Sequence, residues 1–274
     1  SLHDALPIYY PFEIADCYGL YYWIGLLLGK ISVDFYVFWI IISLILGYAV
    51  FVFLKSVSSQ VQGNILNSFI VFLFIVGYVL PWFSFQNYRY GAALLILGSI
   101  DILNAKSIFR YFLATIIHSL SVLFLPYFLL VKFQFSKKKV ILFLIIVIGI
   151  ITVLKDQLLL LFLNLFGYEN YANDLLNLEE RESIVISLIR LGVFLIVGTK
   201  IIEKELVAPF FYLLAIYFIA IMYTPFHGRI APFIYIIIIK SINQHKPVYK
   251  LIFAVFLIIE GYFSISKSIF HYGV

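Results

Sequence analysis

The chain alternates between long apolar runs and short polar connections, and this alternation predicts its secondary structure. Nine runs approach or reach the length of a membrane helix: 35–54, 65–80, 88–103, 107–131, 140–154, 184–199, 206–223, 230–239 and 251–265. About 20 residues at roughly 1.5 Å per residue cover the ~30 Å hydrocarbon layer of a bilayer. With a short or tilted helix in the aromatic stretch 9–29, the pattern predicts an all-α, polytopic integral membrane helical bundle of about nine or ten helices.

The overall composition agrees with this pattern. Hydrophobic residues make up 64% of the chain and charged residues 12%, and the mean hydropathy is +1.07, which is not typical of a water-soluble domain. The net charge of +5 comes from lysines in short connections, which argues against nucleic acid as a partner and for the lipid bilayer. Cys17 is the single cysteine, so an intramolecular disulfide and a multi-cysteine metal site are excluded.

The domain organisation follows from the same pattern. Residues 1–8 lack the basic flank and apolar core of a signal peptide and resemble translated sequencing-adapter sequence, so we expect them to be non-native. We expect residues 9–274 to form a single transmembrane domain that lacks part of its native N terminus and carries an external loop at 155–183. No internal repeat long enough to indicate transporter halves is found.

The distribution of lysines predicts which connections face the cytoplasm. Lys132 and Lys137 to Lys139 form the strongest basic connection, which the positive-inside rule places in the cytoplasm. Counting helices from there places 155–183 and 225–229 outside, and Lys240 inside. Counting backwards places 101–106 outside and 86–89 inside. The last assignment conflicts with an external role for Arg89, and a broken or re-entrant helix near Gly91, or a miscounted helix, would resolve the conflict.

Two ionisable residues interrupt apolar runs. Arg89 lies near the start of the run 88–103, and His118 lies near the middle of the predicted helix 107–131. Such a group costs on the order of 2.5–3.5 kcal/mol on insertion scales and usually faces a protein interior or a watery cavity, where it marks function. The alternative is structural: Arg89 reaches the headgroups as an anchor, and His118 bonds to a neighbouring helix.

A third polar site lies at residues 224–229. Pro225 and Gly228 are expected to break the helix there, and the freed backbone amides together with Arg229 suit an anion. His227 lies in the same stretch. The alternative is a simple turn with an anchoring arginine.

The order of these polar residues resembles a known family. The chain is similar to the EpsG family, Wzy-like membrane proteins of bacterial exopolysaccharide assembly, in which an Arg-bearing helix start precedes a His-Ser pair by about thirty residues. The residues that carry the resemblance are Gln86, Asn87, Arg89, Lys106, His118, Ser119 and Pro126. Glu13 resembles the family's glutamate at the entry to an early helix, and Arg229 resembles its arginine at the start of a late helix.

The resemblance implies a polysaccharide polymerase of the bacterial inner membrane. Such a protein joins polyprenyl-pyrophosphate-linked oligosaccharide repeats during exopolysaccharide, capsule or O-antigen biosynthesis. Arginine forks match phosphate oxygens, and a histidine or carboxylate serves as a general base for a sugar hydroxyl. The catalytic candidates are His118, Arg89, Arg229 and Glu13. The substrate-binding candidates are Gln86, Asn87, His227, Tyr171 and Asn170.

No cofactor and no metal ion is expected. The chain has no paired-carboxylate motif to hold a divalent cation over a pyrophosphate, and it has no motif for ATP hydrolysis, zinc proteolysis or serine hydrolysis. The sequence therefore favours a metal-independent membrane glycosyltransferase. Two alternatives stay open: a flippase or permease for a lipid-linked oligosaccharide or similar amphiphile, and a scaffold for other polysaccharide-assembly proteins.

Overall fold

The computed structural model describes residues 35–83, 88–101, 106–133, 184–203, 205–223, 227–242 and 247–272, with isolated positions at 138, 142, 146 and 149. Every regular element within these ranges is helical. The α-helices are α1 (Phe35–Val61), α2 (Ile65–Phe74), α3 (Tyr88–Gly98), α4 (Lys106–Ile117), α5 (Leu125–Phe133), α6 (Ile184–Val193), α7 (Thr199–Ile201), α8 (Val207–Tyr223), α9 (His227–Lys240) and α10 (Pro247–Tyr272). π-Helical segments follow α2 (Ile75–Phe83) and α6 (Phe194–Gly198), and a 3₁₀ segment (Ser119–Phe124) precedes α5.

Helices α3 and α9 form the centre of the bundle. All residues from Tyr90 to Gly98 and from Ile230 to Ile239 are buried. A helix that is apolar on all sides packs in the interior, because every face finds a neighbouring helix. The peripheral helices are different, since α1 and α10 each expose large apolar side chains along one side.

The two central helices run in the same direction. The Nζ atom of Lys240, the last residue of α9, donates a hydrogen bond of 2.9 Å to the carbonyl oxygen of Ile100, just after α3. Gly98 precedes Ile100 by two residues in the chain. A Cβ atom built on Gly98 would lie 2.5 Å from Cγ2 of Ile236. Both helices therefore end at one end of the bundle, called here the lysine end, and both begin at the opposite end, called the site end.

Helices α2 and α10 pack beside this pair and begin together at the lysine end. The Nζ atom of Lys250 donates to Oδ1 of Asn67 at 2.9 Å, with both residues buried near the start of their helices. Farther along, a Cβ atom built on Gly261 would lie 3.1 Å from Cα of Gly77. Small residues allow this close approach of two backbones.

The predicted single helix over 107–131 is wrong. The chain bends back after Ile117, and the Oγ atom of Ser121 donates 3.1 Å to the carbonyl of Ala114. The rings of Tyr111 and Phe128 lie 5.8 Å apart, whereas a continuous helix would separate those residues by about 25 Å. Pro126 contributes to the break because it lacks the amide hydrogen that a continuous helix needs there.

Other predicted boundaries are corrected by smaller amounts. Helix α1 continues past Lys55 to Val61, and in this extension the hydroxyls of Ser56 and Ser58 donate to carbonyls three residues earlier in the same helix. Helix α3 ends at Gly98 and not at 103. The predicted helices 9–29 and 140–154 and the external loop 155–183 lie outside the described ranges, apart from isolated positions.

Within the ranges described, one helix is both long and apolar enough to cross a membrane by length and composition. It comprises Ile40–Ser59, with a mean hydropathy of 2.3. Five shorter apolar helices of 10–17 residues accompany it.

Candidate functional site

The backbone at His118 is held at the point where α4 ends. Its amide donates 2.9 Å to the carbonyl of Ala114, and its own carbonyl accepts a 3.0 Å hydrogen bond from the amide of Ser121. The imidazole is half-buried. His118 therefore lies at the tip of a helical hairpin formed by α4 and the segment after it, and not in the middle of a continuous helix as predicted.

A ring contact joins this tip to the start of α3. The ring centroids of His118 and Tyr90 lie 5.0 Å apart with planes at 62°. Tyr90 is the third residue of α3 and follows Arg89 directly. The fold therefore brings the helix turn that carries Arg89 beside His118. The side chain of Arg89 is outside the described atoms.

Helix α9 begins at the same end of the bundle. His227, Gly228 and Arg229 form its first turn, so the predicted break at 224–229 ends earlier than expected. The hairpin also touches this helix, because the rings of Phe124 and Phe233 lie 4.2 Å apart. Three of the four catalytic candidates thus belong to backbone segments at the site end, while the side chains of His227 and Arg229 are not described.

The backward helix count is wrong in one respect. It placed Asp101 and Lys240 at opposite ends, whereas the Lys240–Ile100 hydrogen bond places them at the same end. The helical hairpin explains the error. The run 107–131 was counted as one helix that joins the two ends of the bundle, whereas the chain runs along α4 and then turns back along α5. The conflict over Arg89 disappears with it, since Arg89 now lies at the end opposite Lys240.

The remaining candidates lie outside the described residues. This group contains Glu13, Gln86, Asn87, Asn170 and Tyr171. Their predicted roles stay predictions.

Sequence reasoning overlooked an ion pair inside the bundle. The Nε atom of Arg190 lies 2.9 Å from both carboxylate oxygens of Glu260, and Nη2 lies 2.8 Å from Oε2. Both residues are buried, at 6% and 4% exposure. Each interrupts an apolar run, 184–199 or 251–265, which is the same signal that singled out Arg89 and His118.

Aromatic residues surround this ion pair on the side of α9. Tyr235 is fully buried and lies close enough to Glu260 and Arg190 to interact with both electrostatically. The Tyr217 hydroxyl donates to the carbonyl of Ser187 at 3.4 Å. The ion pair thus ties α6 to α10 on a different flank of the central helices from the hairpin.

Cations close the lysine end of α3. Arg110 donates through Nη1 to the carbonyl of Ser99 at 2.8 Å, and Lys240 donates to that of Ile100. These bonds satisfy two buried carbonyls that lie just past the end of helix α3. Burial lowers the pKa of Lys240 to about 8, and the Asp101 carboxylate opposes that shift. The bonds fix the position of α3 relative to α4 and α9, and so set where their other ends meet.

The comparison with protein families decides the relationship. The sequence model of the EpsG family matches residues 5–273. The chain belongs to the EpsG family. This EpsG-family chain matches no curated protein and no solved structure. The family resemblance that was based on residues 86–126 is therefore confirmed over nearly the whole chain. Membership of this family agrees with a membrane-associated protein of exopolysaccharide metabolism.

Proposed function

We propose that this EpsG-family protein is a polysaccharide polymerase that joins polyprenyl-pyrophosphate-linked oligosaccharide repeats, with its active site at the site end. The observation that carries the proposal is the contact between His118 and Tyr90. It brings a proton-accepting side chain to the start of a central helix that carries Arg89. The parallel helix α9, which carries Arg229, begins at the same end.

The chemistry requires a leaving group and a nucleophile. A hydroxyl oxygen of the acceptor sugar forms a bond to the anomeric carbon of the donor, and the bond between that carbon and the pyrophosphate oxygen breaks. The hydroxyl proton passes to the imidazole of His118. The pyrophosphate departs with the bonding electrons, stabilised by the helix N-termini and by Arg89 and Arg229.

The lengths of the central helices suit such a site. Helix α3 has 11 residues and α9 has 14, which correspond to about 16 and 21 Å. A bilayer core of ~30 Å is thicker than either, so helices anchored at the lysine end would begin within the membrane. Non-helical backbone within the membrane is tolerated where it is buried in protein or lines a water-filled cavity, because its amides and carbonyls then find partners. Broken helices in transporters use their N-termini at that depth to bind anionic groups.

The proposed orientation places the lysine end in the cytoplasm of a bacterial cell and the site end on the outer side of its inner membrane. The lysine-rich connections support this choice through the positive-inside rule. The protein would then be a multi-pass membrane protein that meets its lipid-linked glycan from the outer side. Other polysaccharide-assembly proteins are further proposed partners.

The test is a reconstitution of the complete protein in lipid nanodiscs with a defined polyprenyl-pyrophosphate-linked repeat. We expect a ladder of longer glycans and release of one polyprenyl pyrophosphate for each bond formed. Proteoliposomes with the substrate on one side separate the alternative function. Movement of the lipid-linked repeat across the bilayer without longer products would replace the polymerase with a flippase.

A further inference from the structure

Helix α6 turns its polar residues toward the inside of the bundle. Between residues 185 and 190 its two buried residues are Ser187 and Arg190, whereas Val185, Leu188 and Ile189 are exposed. Polar and ionisable side chains within an apolar helix face the bundle interior, where other polar groups or water can pair with them. The inner face of α6 therefore contributes two polar side chains to an enclosed site.

The ring of Tyr235 lines this site from the central helix α9. It lies 5.2 Å from the ring of Phe194 and 5.9 Å from that of Phe256. Phe194 follows Arg190 by about one helical turn. Phe256 precedes Glu260 by one turn of α10. Residues one turn apart share a helix face, so Tyr235 lies beside both partners of the ion pair, with which it interacts electrostatically.

Two hydroxyl groups at this site, those of Ser187 and Tyr235, have no hydrogen-bond partner among the described atoms. Both residues are fully buried, and an unpaired buried hydroxyl is costly. The Glu260 carboxylate can accept a further hydrogen bond, because two N–H groups of Arg190 bond to it and a carboxylate has about four acceptor positions. Polar groups that lie near each other beyond direct hydrogen-bond distance are commonly bridged by water.

We propose that this site holds an ordered water molecule, which accepts a hydrogen bond from the Tyr235 hydroxyl and donates one to the Glu260 carboxylate. Ser187 lines the same site from α6. Buried waters in proteins bind where a few otherwise unpaired polar groups meet. The water site is independent of the proposed polymerase activity.

The depth of the site makes bound water the suitable partner for these groups. Glu260 lies about 20 Å along α10 from its start at Pro247. For a helix that starts at the membrane surface, this depth lies inside the ~30 Å bilayer core, where lipid offers polar groups no hydrogen bonds. A bound water satisfies the Tyr235 hydroxyl there. It also links α9 to the carboxylate that already ties α6 to α10.

The first measurement is radiolytic labelling of the complete protein in lipid nanodiscs. A short X-ray pulse converts water, including bound water, into hydroxyl radicals, and mass spectrometry locates the side chains that they oxidise. Phe194 and Phe53 are matched, because both are fully buried phenylalanines. Phe53 packs on Phe74 and beside Gly98. We expect Phe194 and Tyr235 to be oxidised several-fold more than Phe53.

The second measurement compares the unfolding equilibria of Tyr235→Phe and Tyr217→Phe in detergent. Tyr217 is also fully buried, but its hydroxyl donates directly to the carbonyl of Ser187 at 3.4 Å. We expect each variant to raise the unfolding constant about fivefold, because each loses one hydrogen bond. An unpaired Tyr235 hydroxyl would give an unchanged or lower constant, since phenylalanine removes a costly buried group.

The two measurements together decide the assignment. Oxidation of Phe194 and Tyr235 with a destabilised Tyr235→Phe supports the water site. Oxidation at the level of Phe53 would overturn it: a destabilised Tyr235→Phe would then indicate a direct bond to Glu260, and a stable one an unpaired hydroxyl. Strong oxidation with an unaffected Tyr235→Phe would show that the water is not bound by Tyr235, and would overturn the proposed bond.

Discussion

Lys240 and Ile100 join the ends of the two central helices through a hydrogen bond of 2.9 Å between Nζ and a carbonyl oxygen. This bond places the connection that starts at Asp101 at the lysine end. Because α3 and α9 both finish there, their first turns share the opposite end. Together with the close approach of Gly98 to Ile236, this contact shows that the helix turns carrying Arg89 and Arg229 lie at the same end of the bundle.

Sidedness is tested by labelling introduced cysteines with a membrane-impermeant maleimide in a Cys17→Ser background. We expect Asn173→Cys to be modified from outside in intact cells, and Asp101→Cys and Lys138→Cys to react only after permeabilisation. The reason is that lysine-rich connections stay in the cytoplasm, and Asp101 shares their end of the bundle.

Labelling of Asp101→Cys together with Asn173→Cys would restore a continuous helix over 107–131 and contradict the hairpin. Labelling of Lys138→Cys alone would invert the whole orientation. The reactivity of each variant after permeabilisation controls for local burial.

The anion site is tested by Arg229→Lys. A lysine keeps the charge but replaces a bidentate fork with a point charge. Loss of a charge-assisted contact of roughly 1.5–3 kcal/mol corresponds to a rate drop of about ten- to a hundredfold. Polymer yield and protein level are measured together in nanodiscs. The control is Arg110→Lys, whose guanidinium caps α3 at the lysine end and for which we expect near-normal rates. An Arg229→Lys variant as active as wild type would contradict the anion site and would assign Arg229 the structural role of an anchoring arginine.

The role of His118 is tested by His118→Gln. Glutamine keeps a donor and an acceptor at similar size, so we expect normal insertion and thermal stability. It cannot take up a proton near neutrality, so we expect little polymer. Wild-type activity should fall at acidic pH, because a general base must be deprotonated to accept a proton. A folded His118→Gln variant with wild-type rates would leave Glu13 and His227 as candidates.

The Arg190–Glu260 pair is tested by stability measurements in detergent. Either single change, Arg190→Met or Glu260→Met, leaves one buried charge uncompensated, and we expect a loss of about 3–5 kcal/mol in unfolding free energy. The double variant Arg190→Met with Glu260→Met removes both charges and should recover most of that loss. A double variant as unstable as the sum of its parts would show that the two residues do not act as a pair.

The packing of α3 on α9 is tested by Gly98→Ala. The added methyl would lie 2.5 Å from Cγ2 of Ile236, and we expect overpacking to cost about 1–3 kcal/mol and to reduce polymer formation by shifting the two helix starts. Gly47→Ala is the matched control, because nothing lies within 4 Å of its added Cβ. It should be neutral or slightly stabilising, since alanine favours a helix. Equal effects of the two changes would contradict tight packing at Gly98.

Two features could be predicted from local sequence alone. The apolar runs identify α-helical elements, and the ends of α8 were predicted to within one residue. The polar residues that interrupt apolar runs identify Arg89 and His118 as anomalies, because an ionisable group in an apolar surrounding has a cost wherever the helix packs. Arg229 is identified by the polar break at 224–229. The same rule applied to Arg190 and Glu260 would have found the buried ion pair, although not that the two form one pair across 70 residues.

The sequence by itself determined the helical class and the family. The class follows from local composition, and the family follows from the order of a few polar residues. Only the tertiary structure decided where the run 107–131 turns back and which helix starts meet. The apolar side chains of that run suit a straight membrane helix as well as a hairpin. The choice depends on contacts with distant residues, such as Phe124 with Phe233 and Tyr212 with the carbonyl of Leu123. Such contacts form only in the folded protein between residues that are far apart in the sequence, so the local pattern of apolar and polar residues does not predict them.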